Sequence, residues 1–337
     1  MSVDKFDLIK EAFKGSGFTE KIPISVWKHF PNDDRTPEGL AERELEFQKR
    51  FDPDLKKICF HGRYCCVDYG CEIYYDGSLS GSTNCKEHGI KSIADWESLE
   101  PVDVNDGEFG KQVKAVELLH KELEDTVPMM ATVFSPITVA DKLTDNLPSQ
   151  LHSSPDIIEE ALEILKGITI EFSRACLDAG AQGIFYASQQ VSGEDTKGGL
   201  TQEEFNRFSL RPDTTVLGKI RPKAEFIVMH LHGHNLRFKE VTEAYPIDAT
   251  NWHDQQTFPS LAKARELFSG TLLGGIDENG SLRNDSEEEI EAKLQKTLNT
   301  FGQGKLIVAP GCVIPQDVPD QSIEAAVNAI RKFRTTK

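Results

Sequence analysis

His230 and His232 flank Leu231 at the end of an apolar run, Phe226-Ile227-Val228-Met229. In a strand, residues two apart share a face with Cα atoms roughly 6.5–7 Å apart, so the two imidazoles can reach one point. Gly233 then breaks the strand. A second apolar run, residues 306–311, ends in the thiol of Cys312. Two imidazoles and a thiolate are a sufficient protein shell for a zinc ion with its fourth position open. The competing reading is two hydrogen-bonded histidines beside a buried thiol. His234 continues the series but lies past the glycine, in a loop or behind the ligands.

Other candidates stand at the ends of apolar runs. Trp27 and His29 leave the first run and Phe134 the third, as substrate contacts. Tyr186, Gln189 and Gln190 follow the fourth, with Tyr186 as a catalytic candidate. Asn235 either binds a ligand or caps a helix. In Asn251-Trp252-His253-Asp254, Trp252 belongs to the core, and His253 can contact substrate. Asp254 is either a catalytic acid or a helix-start residue. Asp277 in DENG reads as a turn acid. Asp68 either points into a site or serves a turn. Cys59, Cys65, Cys66, Cys71 and Cys85 crowd one stretch in a spacing that fits no metal motif, and read as packing thiols.

The elements that position these residues follow a repeating order. Strands are expected at 21–27, 55–60, 128–136, 181–187, 224–232, 246–252, 271–277 and 306–312. Helices are expected at 2–20, 38–51, 112–124, 154–178, 261–268, 286–301 and 322–333. Ser154 followed by Pro155 reads as an N-cap with proline in the first turn. Thr201 and Ser286, each with Glu three residues on, read as capping boxes. Eight strands mostly alternating with helices predict an α/β fold, a single TIM (β/α)8 barrel over 21–337. An N-terminal helical extension, 1–20, precedes it, and an irregular Gly-, Cys- and Tyr-rich excursion, 61–95, follows the second strand. No G-x-G-x-x-G follows the first strand, which argues against a dinucleotide fold. In such a barrel the C-terminal strand ends carry the active site, and every candidate above sits at such an end or in the excursion.

The 337 residues carry 55 acids against 38 bases, a net charge of −17. That balance disfavours nucleic acid and anionic membranes as partners, since both need a basic footprint. No apolar run approaches the ~18 residues of a membrane span. Seven cysteines, an odd count, and an N-terminus without a secretory apolar core point to a reducing, cytoplasmic compartment.

The segments VFSPIT, MHLHGHN, NWHD, LLGGID and APGCVIPQDVPDQSIEAAVNAI resemble the uroporphyrinogen decarboxylase superfamily, from about residue 22 to 331. The resemblance implies a TIM barrel and one of two activities, haem-pathway decarboxylation or cobalamin-dependent methyl transfer to a thiol such as coenzyme M. The decarboxylases carry a Trp followed by two arginines for substrate carboxylates. Here the stretch reads Trp27-Lys28-His29-Phe30, and Arg35 can replace only the second, in a shifted register. Lys142 stands near the decarboxylase tyrosine, and Gly311-Cys312 where those enzymes have Gly-His. The methyltransferases carry Cys at that last place and His-x-Cys at the fifth strand, where this chain has His230-x-His232. The resemblance therefore implies a zinc-dependent methyltransferase, with zinc on His230, His232 and Cys312 activating a small thiol acceptor. A corrinoid, methylcobalamin, would be the methyl donor. With no Asp-x-His-x-x-Gly motif in the chain, the corrinoid would ride on a separate partner protein. The alternatives are a decarboxylase of uroporphyrinogen or another carboxylic acid, with Asp68 on pyrrole nitrogens, and a non-catalytic barrel binding a tetrapyrrole or corrinoid. The stretch HFPNDD and the charge of −17 suit the eight carboxylates of uroporphyrinogen poorly.

Overall fold

The computed structural model describes residues 4–15, 21–196, 199–301 and 304–333. Seven strands form one parallel sheet: β1 (Lys56–Ile58), β4 (Met129–Phe134), β5 (Gly183–Ser188), β6 (Phe226–Leu231), β7 (Ala249–Trp252), β8 (Thr271–Ile276) and β9 (Leu306–Pro310). The order β1-β4-β5-β6-β7-β8-β9 follows the chain, with helices covering the outside. β2 (Glu72–Tyr74) and β3 (Asn84–Glu87) make a separate antiparallel hairpin in the excursion.

The eighth position is taken by the segment around Ile24, expected as a full strand. It makes one parallel bridge, Ile24 to Val308, through Ser25 N to Val308 O and Val308 N to Pro23 O, both 2.9 Å. On its other side Ile24 O accepts from the N–H groups of Asp54 and Leu55. Pro23 has no N–H to give, which limits the ladder. The ring nevertheless closes, as a (β/α)8 barrel.

The expected N-terminal helix runs from Lys5–Lys14, capped by Asp4 and ended by Gly15 in the left-handed region at φ 72°. Residues 16–20 lie outside the described residues. Its Phe13 stacks on Phe226 at 4.8 Å between ring centres, and its Ala12 carbonyl accepts from Thr271 Oγ1 at 2.9 Å. Phe226 and Thr271 begin β6 and β8, so this helix floors the barrel opposite the strand ends that carry the candidates.

Several helix starts differ from expectation. The helix expected from 112 begins at Gly107, because the carboxylate of Asp68 accepts the Glu108 and Phe109 N–H groups at 2.8 and 3.0 Å. β4 ends at Phe134, and the Ser135 hydroxyl caps an unexpected helix, Pro136–Leu143, whose first residue was expected in the strand. Ser154 makes no side-chain cap bond for the helix Pro155–Asp178. The basic-apolar stretch before β6 is a helix, Arg211–Ile220, entered through a π-turn, Phe205–Leu210. The Thr201 and Ser286 capping boxes form as expected.

Candidate metal centre and substrate pocket

Register brings the site together. Across the sheet, Phe134, Ala187, His230 and Asn251 are paired neighbours in one row near the C-terminal strand ends. Alternation sends Phe185, Ala187 and His230 into the barrel. His230 Nε2 and His232 Nδ1 each stand 3.9 Å from Cys312 Sγ. The potential ligand atoms of the three residues lie within 4.8 Å of one another. Zinc bonds of about 2.3 Å to sulfur and 2.0–2.1 Å to nitrogen set tetrahedral S···N edges of roughly 3.6 Å and N···N edges of roughly 3.3 Å, so the sulfur edges need shifts of a few tenths of an ångström and the two imidazoles must draw closer together to share an ion.

The surroundings fit a ligand set. His230 Nδ1 lies 2.7 Å from Asn251 Oδ1. The Asn251 amide nitrogen donates to the carbonyls of Leu273 and Pro310, both at 3.0 Å, so its oxygen must face the imidazole. His230 therefore carries its proton on Nδ1 and presents the Nε2 lone pair to the centre. Glu278, fully buried, accepts the Gly311 N–H at 3.0 Å with one oxygen and meets His253 Nδ1 at 2.9 Å with the other. It thus fixes both the backbone that delivers Cys312 and the ring beside it. Burial works against a thiolate at Cys312, but His230, His232 and His253 outweigh it and hold the thiol well below its usual range. Burial pushes His230 down, keeping it neutral and able to ligate. At His253, burial is overcome by Cys312 and Glu278, which raise it to about 10.

The trio forms one wall of a cavity of about 250 Å³. Trp27, His29, Phe134, Phe185 and Gln189 line the rest, with Ser80 and Ser82 of the excursion. Trp27 meets Phe185 edge-on at 5.7 Å, and Phe185 stacks on His230 at 5.2 Å. His29 is held near pKa 3, by burial first and then by Lys57, and its Nδ1 has no hydrogen-bond partner among the described residues. The excursion closes over the mouth where Gln316 N donates to Leu79 O at 2.7 Å and Gln316 Nε2 to His29 O at 3.0 Å. Gly81 between them has φ 69°, and a Cβ there would run into Gln316.

Two cations reach the same cavity. Lys56 and Lys57 are consecutive in β1 and point to opposite faces. Lys56 points outward and pairs with buried Glu44. Lys57 points inward and stands 4.6 Å from the centre of the Phe185 ring, with Cys59 Sγ as its hydrogen-bond acceptor at 3.3 Å. Lys142, lowered by burial, stands 4.6 Å from the centre of Phe134. A ring contact is worth about 0.5–2 kcal/mol, against several kcal/mol for desolvating an ammonium. No Asp or Glu lines this cavity among the described residues. The net charge of −17 therefore misdescribed the mouth, which is locally cationic.

Other expected residues lie elsewhere. Tyr186 is one residue out of phase with Phe185 and Ala187, so it faces the helices. Its hydroxyl donates to buried Asp213 at 2.7 Å, beside that of Tyr245 at 2.8 Å. Asp68 caps a helix and does not line the cavity. Asp254 is buried against β8, accepting the Gly275 N–H at 3.2 Å, and burial pushes it up to about 7. It neither starts a helix nor reaches the pocket. Exposed Asn235, with φ 46°, bonds through its amide to Asp195 and through its carbonyl to Gly193 N, bracing a loop. His253 lies against His232, 5.2 Å between ring centres, without lining the cavity. Asp277 is the expected turn acid, accepting Gly280 N at 2.9 Å. Asn251, Glu278 and Lys57 were missed. Two lysines in an otherwise apolar strand carried the signal for Lys57, since alternation must send one of them inward.

The profile described as uroporphyrinogen decarboxylase (URO-D) matches residues 20–333. This chain belongs to the URO-D family. Among curated URO-D relatives, the uroporphyrinogen decarboxylase of Actinobacillus pleuropneumoniae serotype 5b (strain L20) is 26% identical over 258 residues, 72% of this chain and 70% of the relative. That of Mus musculus is 23% identical over 315 residues, 88% of this chain and 82% of the relative. Among solved structures, a methyltransferase from Methanosarcina mazei superposes with a TM-score of 0.81 at 18% identity, covering 98% of this chain and 99% of that one. A B12-independent methionine synthase from Shewanella sp. W3-18-1 gives 0.55 at 14% identity, covering 93% and 94%. The two solved structures share the fold. Among the described residues, no helix is long and apolar enough to cross a membrane.

Proposed function

We propose that this URO-D family chain is a zinc-dependent methyltransferase, moving a methyl group from a corrinoid on a separate protein to a small thiol. The observation that carries the reading is the convergence of His230, His232 and Cys312 on one wall of a cavity at the strand ends. Zinc bound there would lower the pKa of the acceptor thiol and supply a thiolate at neutral pH. Asn251 would hold His230 in its ligating tautomer, and Glu278 would hold the Gly311 backbone that presents Cys312. Trp27, Phe134 and Phe185 would pack the acceptor's carbon chain and keep water out, with Gln189 offering an amide. The fold likeness to the Methanosarcina mazei methyltransferase supports this branch.

A second reading, decarboxylation of an acid, is favoured by the curated relatives' names and by Lys57 and Lys142. Against a tetrapyrrole substrate stands size: about 250 Å³ falls below the roughly 300–1,000 Å³ of pockets for drug-sized ligands. The zinc-loaded protein is to be incubated with methylcobalamin and a thiol panel, with carbon dioxide release from uroporphyrinogen followed in parallel. Methylated thiol without carbon dioxide is the expected result. Carbon dioxide release with no methyl transfer would replace the proposal by the second reading.

A further inference from the structure

We propose that Cys71 is a peroxide-reactive thiol, and that its oxidised sulfur closes a disulfide with Cys66 or Cys85 in the excursion that covers the cavity. The site lies outside the metal centre and does not depend on which reaction that centre performs.

The seven cysteines are all free, and they differ in kind. Cys59, Cys65 and Cys176 are enclosed, and burial pushes their thiols up, Cys59 to about 11 and Cys65 to about 12. Those three pack the interior and are poor nucleophiles. Cys71 instead has two thiols beside its own, those of Cys66 and Cys85. The backbone sets this arrangement. Cys71 N donates to Cys66 O at 3.2 Å, folding the turn after the short helix Tyr64–Val67 so that cysteines five residues apart meet. Cys85 comes from the other strand of the hairpin, opposite Ile73 in the register, two residues on from Cys71.

The surroundings make Cys71 the reactive member. Gly89 N donates to its Sγ at 3.2 Å. Arg63 donates to the Lys142 carbonyl at 3.2 Å, the same oxygen that stands 3.9 Å from Cys71 Sγ, and so brings a positive charge near. The Cys66 thiol first, then the Gly89 N–H, Cys85 and Arg63 hold Cys71 below the usual thiol range against burial. Cys66 is pushed up by the Cys71 sulfur beside it, and Cys85 by burial, so both keep their protons. A thiolate in contact with protonated thiols, one of them partly exposed at Cys85, is the layout of an oxidisable pair.

The chemistry balances with a hydroperoxide as oxidant. Cys71 thiolate attacks the terminal peroxide oxygen, the O–O bond breaks, and the alkoxide leaves as alcohol after taking a proton. The Cys71 sulfenic acid is then attacked by the neighbouring sulfur. The S–S bond forms, the S–O bond breaks, and the thiol's proton leaves with the hydroxide as water. Two thiols lose two electrons, which reduce the peroxide. Between Cys71 and Cys85 the chain carries Ser80 and Ser82 of the cavity wall and Leu79, whose carbonyl accepts from Gln316 N. Oxidation therefore marks the segment that closes the mouth.

Site-resolved peptide mapping of the full-length protein tests this and keeps Cys312 apart from the excursion. Reduced protein is exposed to a few equivalents of hydrogen peroxide, remaining thiols are alkylated, and peptides are read by mass spectrometry. A disulfide joining Cys71 to Cys66 or Cys85 is expected, formed about tenfold or more faster than any oxidation of Cys176 and reversed by dithiothreitol. In Cys71→Ser, Cys66 and Cys85 should stay reduced. In the double variant Cys66→Ser with Cys85→Ser, dimedone should trap a sulfenic acid on Cys71. Cys71 oxidised no faster than Cys176, or a disulfide that leaves Cys71 out, would overturn the proposal. The wild-type map decides this alone if a variant does not fold.

Discussion

The Nδ1 of His230 lies 2.7 Å from Oδ1 of Asn251, and the Asn251 amide cannot turn over because its nitrogen is committed to two strand carbonyls. The pairing is a register neighbour contact between β6 and β7, so the fold itself sets the tautomer of the first ligand. Asn251→Ala should weaken zinc binding about 10- to 100-fold, as loss of such a supporting partner does at other metal sites. Competition against a chromophoric chelator reads this directly. An unchanged zinc affinity in folded Asn251→Ala would show that the contact does not position the ligand.

Tyr186 faces away from the pocket, and its substitution separates stability from function. Tyr186→Phe should cost about 1–3 kcal/mol in urea unfolding, because buried Asp213 loses a donor. Methyl transfer should stay within about twofold of wild type once folded protein is compared. A large fall in turnover with unchanged stability would return Tyr186 to the site.

Asp213 gives the pH dependence a sign. Burial raises it to about 7 from 3.8 despite hydrogen bonds from Tyr186, Tyr245 and Ser209. A raised carboxyl favours folding while protonated, so its contribution is whole below about pH 4 and is lost as pH climbs toward 7 and above. The loss amounts to about 4 kcal/mol at most. Asp213→Asn should flatten the stability profile between pH 4 and 7 relative to wild type. Parallel profiles in urea melts would contradict the assignment.

The barrel was legible because its signals are local and repeated: apolar runs, proline and glycine stops, and capping boxes. The three ligand candidates were legible because strand alternation brings His230 and His232 together and Cys312 ends a neighbouring apolar run. What sequence could not supply was phase. Tyr186 and Phe185 are adjacent, and only the register decides which one faces the pocket. Asp68 read as either a site residue or a turn residue because its partners, the N–H groups of Glu108 and Phe109, lie 40 residues away in sequence or more. Glu278 was passed over for Asp277 beside it, since turn chemistry explains the first acid and nothing local reveals that the second reaches Gly311. Net charge misled because it averages the surface, whereas among the described residues the pocket is lined by two lysines and no acid.

Asp68 also separates the two readings of the site. Asp68→Ala removes a helix cap and should cost about 1 kcal/mol, within the 0.5–2 kcal/mol of such losses. Zinc content and methyl transfer per folded molecule should hold. Carbon dioxide release that depended on Asp68 would favour the decarboxylase reading.

The measurement that bears most directly on the central claim is metal content by elemental mass spectrometry, on wild type, His230→Ala and Cys312→Ala. About one zinc per chain in wild type, and little in either variant, is the result the three-ligand site predicts. Wild type that stays metal-free after zinc addition, or zinc retained in both variants, would contradict it.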